Sequence, residues 1–84
     1  MHRIELLPSA ARWLEKTPIA VRRRLARAID ALARNPHPPG SEKLRGAENI
    51  WRIRVADYRV LYQVLDDVLA VLIVRIGRRR DVYR

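Results

Sequence analysis

Hydrophobic residues along this chain change their spacing near the middle of the sequence. Between residues 18 and 34 they recur every three or four positions, which predicts an amphipathic helix. These positions are Val21, Leu25, Ala28, Ile29 and Leu32. From residue 50 onward, in "IWRIRV" for example, apolar and polar residues alternate, which predicts strands. The first half is therefore expected to be mostly helical and the second half mostly β.

The N-terminal quarter contains signals for a strand and the start of two helices. "HRIELL", residues 2–7, is a short strand candidate. Pro8 is expected to end it, and Ser9 to cap a helix over about residues 9–16 through its hydroxyl. Thr17 is expected to cap the long helix, with Pro18 at its first position, where a missing N–H costs nothing. Asn35 and Pro36 then end that helix.

The second half predicts a series of strands joined by tight turns. "SEKLRG" is a candidate for a short strand, and Ala56-Asp57 for a two-residue hairpin turn after "IWRIRV". "YRVLYQVL" and "VLAVLIVRI" are expected to pair across a turn at Asp66-Asp67. The order β-α-α-β-β-β predicts an α+β fold, in which an N-terminal strand and a helical hairpin pack on a mostly antiparallel sheet of three or four strands. A length of 84 residues fits one domain.

The predicted first hairpin gathers arginines on one face of the sheet. With a turn at Ala56-Asp57, Arg54 pairs with Arg59 and Arg52 with Leu61, and paired residues share a face. The other face is expected to be the core face. It holds Trp51, Ile53, Val55, Tyr58, Val60 and Tyr62.

The predicted second hairpin adds further cations at the same edge. It is expected to place Val74 beside Arg59 and to bring a run of glycine and arginines to that edge, with Tyr83 close by. The run is Gly77, Arg78, Arg79 and Arg80. Two explanations fit so many like charges: a solvated face, or a bound polyanion whose phosphates suit the planar guanidinium fork.

The charge balance bears on that choice. Lys and Arg number 18 against nine Asp and Glu, which gives a net charge of +9. A basic domain of this kind suggests a nucleic acid, an acidic protein segment or an anionic membrane as partner. The chain has no Cys, and its two histidines, His2 and His37, are far apart, so no metal site is expected. No apolar run is long enough to span a membrane, and a cytoplasmic, soluble protein without membrane contact is expected.

Several segments together resemble the RelE/ParE toxin superfamily, and its RelE branch most. They are "SAARWLEK", "ALARNPHPPG", "EKLRG", "WRIRVADYRVLYQV" and "VRIGRRRDVYR". The resemblance covers essentially all 84 residues and implies a single RelE-like toxin domain over residues 1–84.

The resemblance also implies an activity and partners. Members of the RelE branch are toxins of type II toxin–antitoxin pairs that cut mRNA in the ribosomal A site. The ribose 2′-OH attacks the adjacent phosphate, without metal or other cofactor, and translation stops. The implied partners are the ribosome, mRNA and a cognate antitoxin that contributes an acidic or amphipathic segment.

The family's functional residues carry over to named positions of this chain. The two sheet cations fall on Arg52 and Arg54, the hairpin arginine on Arg59, the arginine after the last strand on Arg79, and the terminal tyrosine on Tyr83. Further RNA-binding cations are expected nearby. They are Lys43, Arg45, Arg78 and Arg80.

One departure from the family pattern concerns the general base. Well-known members carry lysines where this chain has Arg52 and Arg54, and an arginine stays protonated and does not readily accept a proton. Some relatives use a glutamate that precedes the first sheet arginines. Glu42 is its closest counterpart here and is the candidate general base.

Two other functions remain open at this point. ParE-like toxins share the fold but bind and inhibit DNA gyrase, and would be indifferent to changes at Arg59 and Tyr83. A non-catalytic basic module would bind RNA by charge alone, with a steep dependence on salt and no cleavage products.

Overall fold

Five strands and two helices make up residues 1–46 and 49–79, which the computed structural model describes. In chain order they are β1 (Arg3–Leu6), α1 (Pro8–Glu15), α2 (Ile19–Ala31), β2 (Glu42–Lys43), β3 (Ile50–Val55), β4 (Tyr58–Leu65) and β5 (Ala70–Arg78). The strands form one sheet in the order β1-β5-β4-β3-β2. β1 runs parallel to β5, and the other neighbours are antiparallel. The predicted α+β class is confirmed, and the sheet reaches five strands because β1 and β2 both join it.

The core lies between the two helices and one face of the sheet. α2 contributes Leu25 and Ile29, and Leu32 follows directly after the helix; all three are buried. They pack in one cluster with apolar residues of β3, β4 and β5. The strand residues buried in this cluster are Ile53, Val55, Val60, Tyr62, Val64, Val71, Ile73 and Ile76. Since strand side chains alternate between faces, the intervening residues lie on the face turned away from the helices.

The helix starts differ from the predicted ones. α1 begins at Pro8, so Ser9 is inside the helix and the cap position falls on Leu7. α2 begins at Ile19, with Pro18 at the cap position and no side-chain cap. The Thr17 hydroxyl donates instead to the Trp13 carbonyl oxygen at 2.8 Å. This bond back to the fourth preceding residue holds Thr17 at the end of α1, so it does not cap α2.

The connection between β4 and β5 is longer than predicted. A single turn of 3-10 helix, Asp66–Val68, precedes Leu69 in the left-handed region at φ 50°, so Leu65 pairs with Ala70. A bulge then adds one more residue, because Tyr62 pairs with Ile73 while Leu61 pairs with Arg75. Arg59 therefore lies opposite Gly77, and the predicted pairing with Val74 is wrong.

None of the helices in the described part of the chain is long and apolar enough to cross a membrane. The longer one, α2, has 13 residues.

Tyr62 links the sheet to the loop that follows α2. Its ring is fully buried, and its hydroxyl donates to the Pro36 carbonyl oxygen at 2.7 Å. Burial raises the pKa of the Tyr62 phenol above its ordinary value of 10.0, and a hydrogen bond with the Ser41 side chain offsets part of this rise. The hydroxyl thus anchors the loop that leads into β2.

Removal of this hydroxyl should destabilise the protein. We expect Tyr62→Phe to lower the free energy of unfolding by about 1 kcal/mol, because the Pro36 carbonyl loses its partner. At this chain length that corresponds to a melting temperature about 4–8 °C lower. Thermal unfolding at pH 7 measures the change, and an unchanged melting temperature would contradict the anchoring role.

The raised pKa also makes stability depend on pH above 10. The unfolded chain releases the Tyr62 proton first, so the free energy of unfolding should fall from about pH 10 up to the raised pKa. Denaturant unfolding between pH 9 and 11 should show a smaller fall for Tyr62→Phe than for Tyr58→Phe, which keeps the buried phenol. Equal falls in the two variants would show that Tyr62 is not the group responsible.

Candidate functional site

Three arginines lie on the face of the sheet that the helices leave uncovered, and we call Arg52, Arg54 and Arg59 the arginine face. The observed register pairs Arg54 with Arg59, Arg52 with Leu61, and Val55 with Tyr58. The predicted hairpin turn at Ala56-Asp57 and its pairing are confirmed. Two guanidinium groups thus lie on directly opposed residues, where like charges repel.

The arginine face is not evenly exposed. Arg59 is only 5% exposed, and its Nη1 donates to the Tyr58 carbonyl oxygen at 3.2 Å. The Arg52 side chain is 13% exposed, whereas Arg54 is exposed to solvent. A charge shielded from water acts more strongly on a neighbouring anion than an exposed one. Arg59 and Arg52 are therefore the two cations of the arginine face that are most shielded from water.

The two-residue strand β2 brings a carboxylate to this face. Glu42 lies opposite Arg52, and its Oε2 accepts a hydrogen bond from Nη2 of Arg52. The Glu42 side chain is 63% exposed, so the carboxylate remains open to solvent and to a ligand. β2 therefore places a carboxylate within the row that contains Arg52.

Two arginines at the end of β5 lie beside the hairpin turn. The Arg79 amide donates to the Asp57 carbonyl oxygen at 3.0 Å, which fixes Arg79 beside the hairpin turn. Arg78 pairs with Tyr58 and lines a cleft on the helix side of the sheet. Arg78 reaches the predicted edge of the sheet but lies on its helix side, because the bulge shifts the alternation of β5 by one residue. Arg80 and Tyr83 lie outside the described residues.

The remaining predicted cations lie at the edge of the sheet. Lys43 pairs with Trp51, a residue that packs against the core cluster, so its register position is on the helix side. Arg45 follows β2 in a turn, and both side chains are exposed. Neither residue belongs to the arginine face.

Within residues 1–46 and 49–79, no three His, Asp or Glu side chains come together as metal ligands.

The chain matches known proteins over nearly its whole length. Residues 4–83 match the family model described as the ParE toxin of the type II toxin–antitoxin system parDE. A putative RelE-like toxin protein of Escherichia coli is 31% identical over 86 residues, covering 98% of this chain and 90% of that protein. The chain belongs to the RelE/ParE superfamily of type II toxins.

Solved structures agree with this assignment. RelE in the archaeal RelE–RelB complex from Pyrococcus horikoshii is 27% identical, with a TM-score of 0.83, covering 96% of this chain and 98% of that one. The toxin–antitoxin complex RelBE2 of Mycobacterium tuberculosis contains a chain that is 26% identical, with a TM-score of 0.80, covering 93% of this chain and 98% of that one. This chain is thus a RelE-like toxin with the fold of its relatives.

One cation near the site of this RelE-like toxin was missed by sequence reasoning. Arg75 is exposed and lies opposite Leu61, in the same row as Arg52. In a regular strand without the bulge, Arg75 would pair one position away in β4 and would not lie opposite Leu61. Sequence periodicity carries no signal for the bulge at Val74, so the position of Arg75 was not predictable.

Repulsion between Arg54 and Arg59 should destabilise the RelE-like toxin when no ligand is bound. Removal of one of the two charges should therefore stabilise the folded protein. We expect Arg54→Gln to raise the free energy of unfolding by about 0.2–1 kcal/mol at low salt. In 1 M salt, where the screening length is about 3 Å, the gain should largely disappear. Arg27→Gln, an exposed change on α2, is the control. If Arg54→Gln and Arg27→Gln change the free energy of unfolding equally, repulsion between Arg54 and Arg59 does not destabilise the sheet.

Proposed function

We propose that this toxin is a ribosome-dependent mRNA endoribonuclease that stops translation by cutting mRNA in the A site. The observation that carries the proposal is the direct opposition of Arg54 and Arg59, with Arg52 and Glu42 in the next row. Opposed like charges destabilise a sheet, and a bound phosphate would offset that repulsion.

The proposed reaction is an attack of a ribose 2′-OH on the adjacent phosphate. A bond forms between O2′ and phosphorus, the bond from phosphorus to O5′ of the next nucleotide breaks, and the leaving O5′ takes a proton from water. The products carry a 2′,3′-cyclic phosphate and a 5′-OH. Negative charge builds on the non-bridging oxygens in the transition state, and preplaced guanidinium groups stabilise it best where water is scarce.

Arg59 and Arg79 are proposed to stabilise this charge. Arg59 is nearly buried, so little water screens it, and Arg79 is held beside the hairpin turn by its backbone. Arg52 and Arg54 are proposed to hold the flanking phosphates. Tyr83, outside the described residues, is proposed to stack on a base of the codon.

Glu42 is proposed as the general base that takes the 2′-OH proton. A guanidinium group remains protonated and therefore does not accept this proton. The Glu42 carboxylate, in contrast, is exposed and already accepts a hydrogen bond from Arg52. Arg52 would then orient the base while the other arginines bind phosphate. Lys43, Arg45, Arg78 and Arg80 are proposed to bind RNA outside the reacting phosphate.

A second candidate is inhibition of DNA gyrase. It is favoured by the description of the matched family model, which names a ParE toxin. Under this alternative the arginine face would bind DNA or an acidic protein surface, and no RNA would be cut.

Cleavage on programmed ribosomes tests the nuclease. We expect the purified protein to cut mRNA in the A site, with 5′ ends mapped by primer extension. Arg59→Gln and Arg79→Gln should each reduce the rate by about 10²–10³-fold, and Glu42→Gln by about 10²–10⁴-fold.

Charge-matched variants elsewhere serve as controls. Arg27→Gln on α2 and Glu15→Gln at the end of α1 are both exposed changes and should cut at the wild-type rate. Absence of cuts together with inhibition of gyrase supercoiling would favour the ParE-like function. Salt-dependent RNA binding without cuts or gyrase inhibition would indicate a non-catalytic binding module.

A cognate antitoxin is proposed as the protein partner. The P. horikoshii and M. tuberculosis relatives are in toxin–antitoxin complexes, and a net charge of +9 suits an acidic segment. A groove of about 320 Å³ beside Arg54 offers apolar surface for such a segment. It is lined by Ala28, Ala31, Pro38, Pro39, Gly40, Ile53 and Arg54.

Co-expression tests the antitoxin. The product of a neighbouring gene should co-purify with the toxin and, at a free concentration 100 times its Kd, should raise the free energy of unfolding by about 2.7 kcal/mol. A neighbour that neither co-purifies nor shifts the melting temperature would count against this partner.

A further inference from the structure

A cleft lies on the helix side of the sheet, around the corner from the arginine face. One part, of about 640 Å³, is lined by Asp57, Tyr58, Arg78 and Arg79. The other, of about 230 Å³, is lined by Trp13, Lys16, Thr17, Pro18, Tyr58 and Arg78. Tyr58 and Arg78 line both parts, and we call the two parts together the Tyr58 cleft. Its size is that of a pocket for a small organic ligand.

Two aromatic rings form the wall of the Tyr58 cleft. Trp13 and Tyr58 meet edge to face, with ring centroids 5.8 Å apart and an interplanar angle of 71°. Both rings pack on the core cluster yet remain partly exposed. Trp13 is carried by α1 and Tyr58 by β4, so the rings stand on rigid elements. Exposed, preplaced aromatic surface of this kind suits the face of an unstacked base.

The cations of the cleft lie around these rings. Lys16, Arg78 and Arg79 are all exposed, and Asp57 is the one acidic residue among the lining residues described. Cations beside aromatic rings are the combination that single-stranded nucleic acid binds, phosphates to the charges and bases to the rings. An acidic peptide would use the charges but leave the aromatic surface without a flat partner.

The cleft and the arginine face meet at the hairpin turn. Tyr58 and Arg59 are consecutive in β4, so they lie on opposite faces of the sheet. Arg79 lines the cleft and is bonded through its amide to Asp57. An RNA strand whose phosphate sits at Arg59 therefore needs only to pass the Ala56-Asp57 turn to enter the cleft.

We propose that the Tyr58 cleft binds one nucleotide of single-stranded RNA next to the cleaved phosphate. Its base would lie against Tyr58 and Trp13, and its phosphate between Lys16 and Arg78. The proposal rests on RNA being the substrate, and adds a subsite on the face opposite the arginines.

Fluorescence of Trp13 tests the subsite directly. The chain has two tryptophans, and Trp51→Phe leaves Trp13 as the reporter. The probe is a trinucleotide RNA methylated at every 2′-oxygen, which cannot be cut because the nucleophile is blocked. We expect saturable quenching, and we expect the same probe with its central base removed to bind about tenfold more weakly.

Changes at the cations should lower the dependence of binding on salt. In the Trp51→Phe protein, Lys16→Gln and Arg78→Gln should each reduce the slope of log K against log salt by about 0.7, the value for one phosphate contact on a single strand. Arg12→Gln, an exposed change on α1 outside the lining, should leave it unchanged. If Trp51→Phe does not fold, the indole N–H resonance of Trp13 in the wild-type protein gives the same information.

The outcomes separate this inference from the proposed nuclease. Quenching by the trinucleotide that persists in Arg59→Gln supports the cleft, even in a protein that cuts no mRNA. Cleavage on ribosomes without quenching would overturn the cleft and leave the nuclease standing. If penta-aspartate, or the trinucleotide without its central base, binds as tightly as the intact trinucleotide, the cleft recognises charge alone. That result would overturn the proposed nucleotide subsite.

Discussion

The two-residue turn at Ala56-Asp57 sets the register on which the core and the arginine face both depend. Ala56 takes the left-handed conformation at φ 55°, and the strands then pair Val55 with Tyr58 and Arg54 with Arg59. A slip by one residue would turn the guanidinium groups under the helices and expose the core residues. Each buried apolar side chain stabilises this register by about 1.5–3 kcal/mol, while the opposed arginines oppose it by about 0.2–1 kcal/mol. Hydrophobic burial on one face therefore holds the like charges together on the other.

This arrangement places the core residues and the arginine face on opposite sides of the same two strands. The helices cover one face of β3 and β4 and leave the other face, with its arginines, uncovered. Within the uncovered face the residues differ in environment: Arg59 is shielded from water, Arg54 is exposed, and Arg52 is paired with Glu42. Different environments give chemically similar side chains different strengths toward a phosphate. The strand β2, with only two residues, matters here because it brings Glu42 opposite Arg52.

Local sequence signals were sufficient for most of this organisation. The change of period near the middle of the chain predicted the helices and the strands, and alternation in "IWRIRV" with the Ala56-Asp57 turn predicted the pairing of Arg54 with Arg59. Features set by tertiary geometry were not predictable. Thr17 bonds back to α1 where a cap of α2 was expected, and the bulge in β5 moves Arg78 to the helix side while leaving Arg75 opposite Leu61. Periodicity locates strands well, but a single unpaired residue inside one reverses the side on which every later residue lies.

The parallel pairing of β1 with β5 has a consequence for the order in which the protein can form during its synthesis. Arg3 pairs with Ala70, so the first strand to leave the ribosome finds its neighbour only among the last to be made. Closing so long a stretch of chain is slow. Until it closes, β1 has no β5 to pair with, and Ile4 and Leu6 do not yet have the complete core on which they pack in the folded protein. The central strand β4 likewise lacks its β5 neighbour during this interval. A toxin built in this way acquires its complete five-stranded sheet only after β5 has been made.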